Sequence, residues 1–323
     1  VVLPMVLFTA WAGLFFALPI PIFLGMGNTM LLLSVMQLSL AIVLLVVLRY
    51  SSGHKHWLHS KSDFAQILFQ WKRLFSFAAA NVFLIAPLLG VWLAVSLSLG
   101  VSHLSHGCIH LGLNGIATEA RTYVYEGKEI LLLPTVHIAQ PAFYKRLVAP
   151  LPVASTVVIP EGVTDKQELL KEPLDYSKVA DRMGLEVQDN QIIVAQRKTA
   201  LCDVDVSEFS PGTIDYLRAC VKVGKYWSSG QRLMALQAST FAAEPNLDLL
   251  WKDLLDMRNQ RVSVCITECL QHYDTIVIPW GAAHMPGIQR TILGWGATIS
   301  ERRRVPVWHW SGPEQLPDAD NGS

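Results

Sequence analysis

Charged side chains are scarce at the beginning of the chain. The first hundred residues contain five Lys or Arg and one acid, although the whole chain has 26 basic and 26 acidic residues. The net charge of zero therefore averages two unlike parts. Charged residues make up only 16% of the chain and its mean hydropathy is +0.34, values that disfavour an ordinary water-soluble globule.

The sequence also lacks the features of a nucleotide-binding or nucleic-acid-binding protein. It has no glycine-rich phosphate loop, no internal repeat and no low-complexity tract. Its one basic cluster, at 302–304, is too short to form a surface that binds successive phosphates of a nucleic acid. We therefore expect no nucleic-acid partner.

Cysteine gives little guidance. The chain has five cysteines, an odd number, and their spacing matches no zinc-ribbon pattern. Cys265 and Cys269 are four residues apart on a predicted helix, where we interpret them as small buried apolar residues.

Long apolar runs occupy the beginning of the chain, at 1–26, 29–48 and 75–101. Each can supply the roughly 20 helical residues that cross a hydrocarbon core. We predict three transmembrane helices within a membrane region at 1–103. A cleaved signal peptide is the alternative for 1–26, although that run has no basic beginning.

The basic loop at 49–74 sets the expected orientation. It carries five basic residues against one acid, which favours the cytoplasmic side, and its amphipathic pattern favours contact with membrane lipids. The segment 104–310 would then lie on the extracytoplasmic side of a plasma or inner membrane, followed by a disordered tail at 311–323. These features predict an integral membrane protein.

Three short apolar runs in the second part each end at a side chain that can bind a metal or transfer a proton. The run 130–136 leads to His137, 155–160 leads to Glu161, and 275–280 leads through Gly281 to His284. Parallel strands present their carboxyl ends at one edge of a sheet, where open α/β sheets bind their ligands. The pattern predicts an α/β fold with a mixed, largely parallel sheet whose edge brings these side chains together.

Two further segments can contribute to that edge. Asn246 is a suitable N-cap for a long helix that carries Arg258 and Asn259. The alternating segment 201–206 places Asp203 and Asp205 on the same side of a predicted strand. The sequence leaves open whether these two carboxylates join the site or are exposed or capping residues.

These segments together resemble the TraB/Tiki superfamily. The resemblance covers about 119–296 and rests on LLLPTVHIAQPAFYKRL, VVIPEGV, DMRNQRVSVCITECL and TIVIPWGAAHMPGIQRTI. That family carries two Gly-x-x-His motifs, a glutamate and an Arg-Asn helix. Here the second motif is complete at 281–284, whereas Pro134 replaces the glycine of the first. The resemblance implies a ChaN/EreA-like α/β fold and a membrane-tethered, divalent-metal-dependent peptidase. Related folds include metal-free esterases and haem-binding proteins.

We expect a hydrolase that acts on a peptide or protein outside the cytoplasm. His137 and His284 would bind Mn, Co or Zn, with Glu161 as a third ligand or as the general base. Arg258, beside Asn259, would stabilise the oxyanion or orient the substrate. Two alternatives remain open: a metal-free esterase or amidase, and a non-catalytic peptide- or haem-binding module.

Overall fold

The computed structural model describes residues 86–170, 176–189, 197–228 and 246–312, together with scattered positions before residue 86 and between 194 and 234. The chain divides into two compact units, Val1–Val101 and Ser102–Ser323. In chain order, the described strands are β1 Ile109–Gly112, β2 Gly115–Tyr125, β3 Lys128–Thr135, β4 Ile138–Ala139, β5 Thr156–Val158, β6 Glu186–Val187, β7 Lys198–Thr199, β8 Thr275–Gly281 and β9 Thr298–His309.

The described helices surround this sheet or precede it. They are α1 Ala86–Leu104, α2 Pro141–Val148, α3 Ser177–Met183, α4 Pro211–Ser228, α5 Leu247–Trp251, α6 Arg258–Cys269 and α7 Met285–Gly294. A π-helical turn, Lys252–Met257, joins α5 directly to α6. Asn246 caps α5 as predicted, because its side-chain oxygen accepts a hydrogen bond from the Leu249 amide at 3.2 Å.

The prediction of transmembrane helices is wrong for the part of the chain that the structure describes. No described helix is both long and apolar enough to cross a membrane. The same finding contradicts the prediction of an integral membrane protein with an extracytoplasmic domain.

Other parts of that prediction cannot be compared with the structure. The run 1–26 lies outside the described residues, as do much of 29–48, most of the basic loop 49–74 and the tail from residue 313.

The mixed α/β sheet is confirmed. Its seven described strands follow the order β1-β2-β3-β8-β5-β7, with β9 paired to β2. Strands β3, β8, β5 and β7 run parallel, whereas β1, β3 and β9 pair antiparallel with β2. The sheet is thus parallel in one half rather than largely parallel. The smaller pair β4-β6 stands apart from it.

Helices on both faces explain the continuous apolar sequence of the central strand. Along β8, Ile276, Ile278 and Trp280 pack on one side and Val277 packs on the other. Successive side chains of a strand point to opposite faces, so a strand covered on both sides needs apolar residues at every position. The Trp280 indole N–H, which is buried with its ring, donates to the Ile159 carbonyl at 3.0 Å.

Gly115, at the start of β2, lies where the backbones of β2 and β9 approach each other closely. A Cβ at this position would lie 1.8 Å from the Trp308 carbonyl oxygen on β9. We expect Gly115→Ala to lower the free energy of unfolding of the full chain by about 3 kcal/mol or more, because the two strands must separate. Chemical denaturation followed by tryptophan fluorescence measures the loss.

Gly127→Ala is the matched control. Gly127 also has a positive φ, of +77°, but no atom lies within 4 Å of the position that an alanine Cβ would occupy there. That variant should lose only about 1–2 kcal/mol, the cost of a left-handed alanine. Equal losses in the two variants would contradict the close approach of β2 and β9.

Candidate active site

The carboxyl ends of three adjacent parallel strands meet at one cavity. Strand β8 lies between β3 and β5, with Thr135 opposite Gly281 and Val158 opposite Val277. The side chains that follow these ends therefore reach the same edge of the sheet. A cavity of about 800 Å³ is lined there by His137, Glu161, Arg258 and His284. All four residues were predicted from the sequence.

Arg258 occupies the centre of the site. Its guanidinium forms a two-point pair with Asp203, Nε to Oδ1 at 2.9 Å and Nη2 to Oδ2 at 2.6 Å. Nη2 also donates to Glu161 Oε1 at 2.8 Å, and the guanidinium carbon lies 5.2 Å from the centre of the Trp280 ring. Arg258 is only 7% exposed, so its charge is buried and must be stabilised by these partners.

Both ring nitrogens of His284 are engaged by protein groups. Nδ1 lies 2.9 Å from Asn259 Oδ1, and Nε2 lies 3.1 Å from Arg258 Nη1. An amide oxygen only accepts and a guanidinium only donates, so we assign the neutral tautomer with the proton on Nδ1. The ring also meets Trp280 edge-on, with centroids 5.0 Å apart. Asn259 thus orients His284 from behind the cavity.

Glu161 is held as a carboxylate. Burial opposes its ionisation, but the Arg258 charge and the Gly281 amide outweigh burial and hold its pKa below the usual value of 4.5. The Gly281 N–H donates to Oε2 at 2.5 Å, and His284 Nε2 lies 3.5 Å from Oε1. Glu161 is therefore an anion at neutral pH with protein donors on both oxygens.

His137 has a different environment from His284. It is exposed, stands apart from the Arg258 hydrogen bonds and stacks on Tyr176, with ring centroids 5.0 Å apart and planes 9° apart. Tyr176 also lines the cavity. The structure thus brings His137 to the same cavity as His284 but leaves its imidazole accessible. Nothing in the sequence pattern had indicated Tyr176.

The two aspartates that the sequence left open have separate roles. Asp203 pairs with Arg258, and its Oδ2 also accepts from the Gly162 amide at 2.9 Å. Asp205 instead caps the 3₁₀ turn Val206–Glu208, accepting from the Ser207 amide and hydroxyl. No named strand forms at 201–206, where the backbone makes one isolated parallel bridge, between Asp205 and Thr164, before the 3₁₀ turn begins.

A disulfide connects the Asp203 loop to the arginine helix. Cys202 is bonded to Cys265, with the two Cα atoms 6.0 Å apart. Cys202 immediately precedes Asp203, and Cys265 lies on α6 two turns after Arg258. This covalent link holds the two partners of the buried ion pair on adjacent segments. Cys265 is buried as predicted, but its disulfide with Cys202 had not been predicted from the sequence.

The side chains as arranged do not fit the metal site that the family resemblance implies. Nε2 of His284 accepts from Arg258, and both oxygens of Glu161 accept from Arg258 or Gly281. A permanently charged guanidinium beside two of the three expected ligands repels a cation. Within the described ranges, no group of three His, Cys, Asp or Glu side chains is placed to hold a metal ion.

Comparisons with protein-family models, curated proteins and solved structures found no match to this chain. The resemblance to the TraB/Tiki superfamily therefore stays a prediction that rests on the motifs alone.

The lowered pKa of Glu161 predicts how acid destabilises the site. A carboxyl whose pKa falls on folding stabilises the protein above its unfolded pKa, and this contribution disappears as the pH falls through the folded pKa. The contribution of Glu161 should be complete above pH 4.5 and should decrease as the pH falls from 4.5 through the lowered folded-state pKa. The stability difference between the wild type and Glu161→Gln should therefore narrow over this range in urea titrations. A difference independent of pH would contradict the assignment.

The Asp203–Arg258 pair predicts a large effect from a nearly isosteric change. Asp203→Asn leaves the Arg258 charge buried with one carboxylate partner, so we expect a loss of about 3–5 kcal/mol in the free energy of unfolding. The control is Glu208→Gln, which breaks the exposed Arg261–Glu208 pair but keeps an acceptor for the Asp205 amide. That change should cost less than about 1 kcal/mol. Similar losses would show that Asp203 does not anchor Arg258.

Proposed function

We propose that this domain hydrolyses an ester or amide bond with side chains alone, with His137 as the general base. One observation carries the proposal: of the two predicted histidines, His284 uses both ring nitrogens inside the protein, whereas His137 presents an exposed ring to the cavity. Imidazole is the side chain best suited to accept a proton near neutral pH.

Arg258 supplies the group that stabilises the transition state in this proposal. Its four hydrogen bonds use four of the five guanidinium N–H groups, and the side chain lines the cavity. The fifth N–H can donate to an oxygen that becomes negative during attack. Asp203, Glu161 and His284 hold the guanidinium in place, so this donor needs little reorganisation during the reaction.

The reaction then proceeds in two balanced steps. His137 accepts a proton from water while the water oxygen bonds to the substrate carbonyl carbon, and the carbonyl oxygen becomes an oxyanion that accepts from Arg258. The oxyanion then re-forms the carbonyl as the bond to the leaving alcohol or amine breaks. His137 returns its proton to that leaving group.

The metal-dependent peptidase implied by the TraB/Tiki resemblance is the second candidate. The observation in its favour is that the anionic Glu161 and the exposed His137 line the same cavity. Metal binding by these two residues would require Glu161 to exchange its Arg258 and Gly281 donors for the cation, so we derive no catalytic step through a metal.

The test is hydrolysis of neutral nitrophenyl esters and nitroanilides by the full-length protein, before and after dialysis against a chelator. We expect turnover that survives the chelator and a drop in kcat of about 100-fold or more in His137→Asn, since general-base catalysis contributes about 10²–10⁴-fold. Circular dichroism should show that the variant keeps the fold, because His137 is exposed.

His272→Asn is the control, since His272 is also an exposed histidine but does not line the cavity. Its kcat should match that of the wild type. Undiminished turnover in His137→Asn would overturn the general-base assignment. Activity that is lost with the chelator and restored by Mn, Co or Zn would favour the second candidate.

A further inference from the structure

We propose that the cavity contains an apolar subsite that binds one bulky, uncharged hydrocarbon group of the substrate next to the bond that is cleaved. The substrate class is then an apolar acyl ester or amide without a carboxylate on its acyl group. This inference rests on the proposed function, because it specifies the substrate of the same cavity.

One wall of the cavity is built from apolar residues of separate segments. They come from the loop after β5, the 3₁₀ turn and its C-cap residue, α4 and the π-helical turn: Val163, Leu170, Val206, Phe209, Leu217 and Leu254. All six belong to, or pack against, a hydrophobic cluster distinct from the two clusters that cover the faces of the sheet. This cluster therefore forms a wall of the cavity in addition to stabilising the fold.

The apolar wall adjoins the polar end of the cavity. Leu254 and Arg258 are four residues apart on one continuous helical segment, and both line the cavity. Residues at this spacing lie about one helical turn apart, so the two side chains are neighbours along the segment. A hydrocarbon group beside Leu254 would thus be only a few bonds from a carbonyl beside Arg258. The π-helical turn is located where these two parts meet, and such turns are frequent at functional sites.

The charges at the polar end disfavour an anionic acyl group. Arg258 is the cationic side chain among the described residues that line the cavity, and its charge is opposed by both Asp203 and Glu161. With His284 neutral, these groups sum to one negative charge. A substrate carboxylate would enter without a cation to pair with it, which is costly away from water. The volume of about 800 Å³ lies within the range of about 300–1,000 Å³ for small-molecule sites.

The experiment uses the full-length protein and nitrophenyl esters with acyl chains of two to eight carbons. Each long ester has a partner that carries a carboxylate at the far end of the acyl chain. We expect kcat/KM to rise at least tenfold from acetate to hexanoate, because added methylene groups leave water. The terminal carboxylate should reduce it at least tenfold. Equal rates across both series would overturn the subsite while leaving the hydrolase proposal intact.

Two variants locate the subsite. Leu217→Lys should reverse the preference in favour of the carboxylate-bearing esters, since it places a cation in the wall. Leu217→Phe, which keeps the site apolar and serves if the lysine variant does not fold, should move the optimum to shorter chains. Val264→Lys is the matched control on α6, at a residue that is 57% exposed and outside the cavity, and it should change neither preference. Unchanged preferences in the Leu217 variants would overturn the assignment.

Binding of neutral methyl ketones separates failure of the subsite from failure of the proposed function. Calorimetry measures their affinity without any hydrolysis. Affinity that increases with chain length and is weakened at least tenfold by Leu217→Lys supports the subsite even if no ester is cleaved. Affinity that does not depend on chain length overturns it, whatever the result with esters.

Discussion

The buried charge of Arg258 is the constraint on which the candidate site depends. A guanidinium removed from water must be paired on several sides, and here Asp203, Glu161 and the neutral His284 provide the partners. The three partners lie on three different segments of the chain. The disulfide between Cys202 and Cys265 connects the Asp203 segment to α6, the helix that carries Arg258. Displacing any of these groups therefore affects the others.

This network gives the two histidines different roles. His284 is enclosed between Arg258 and Asn259, so its nitrogens serve the internal structure. His137 lies outside the network and against the Tyr176 ring, where its imidazole can meet water and substrate. Equivalent positions at the ends of parallel strands thus do not imply equivalent chemistry. The neighbouring side chains decide whether a histidine holds the site or acts in it.

The expectation of transmembrane helices shows where local pattern is insufficient. Hydropathy identifies an apolar run, but it does not establish that the run forms one helix long enough to cross a membrane. Among the described residues, no helix is both long and apolar enough to do so. The expected metal site fails for a similar reason. The sequence predicts that His284 and Glu161 lie close together, but it does not show that Arg258 hydrogen-bonds to both of these expected metal ligands.

The sequence alone determined the parallel strands β3, β5 and β8, the cap at Asn246 and the meeting of His137, Glu161, His284 and Arg258 at one edge. Apolar runs that end at turn residues specify buried strands, and parallel strands place their ends together. Only the tertiary structure decided that Asp203, 55 positions before Arg258, anchors the guanidinium, and that Cys202 pairs with Cys265. These contacts join segments far apart in the chain, and no local periodicity encodes which distant side chain neutralises a buried charge.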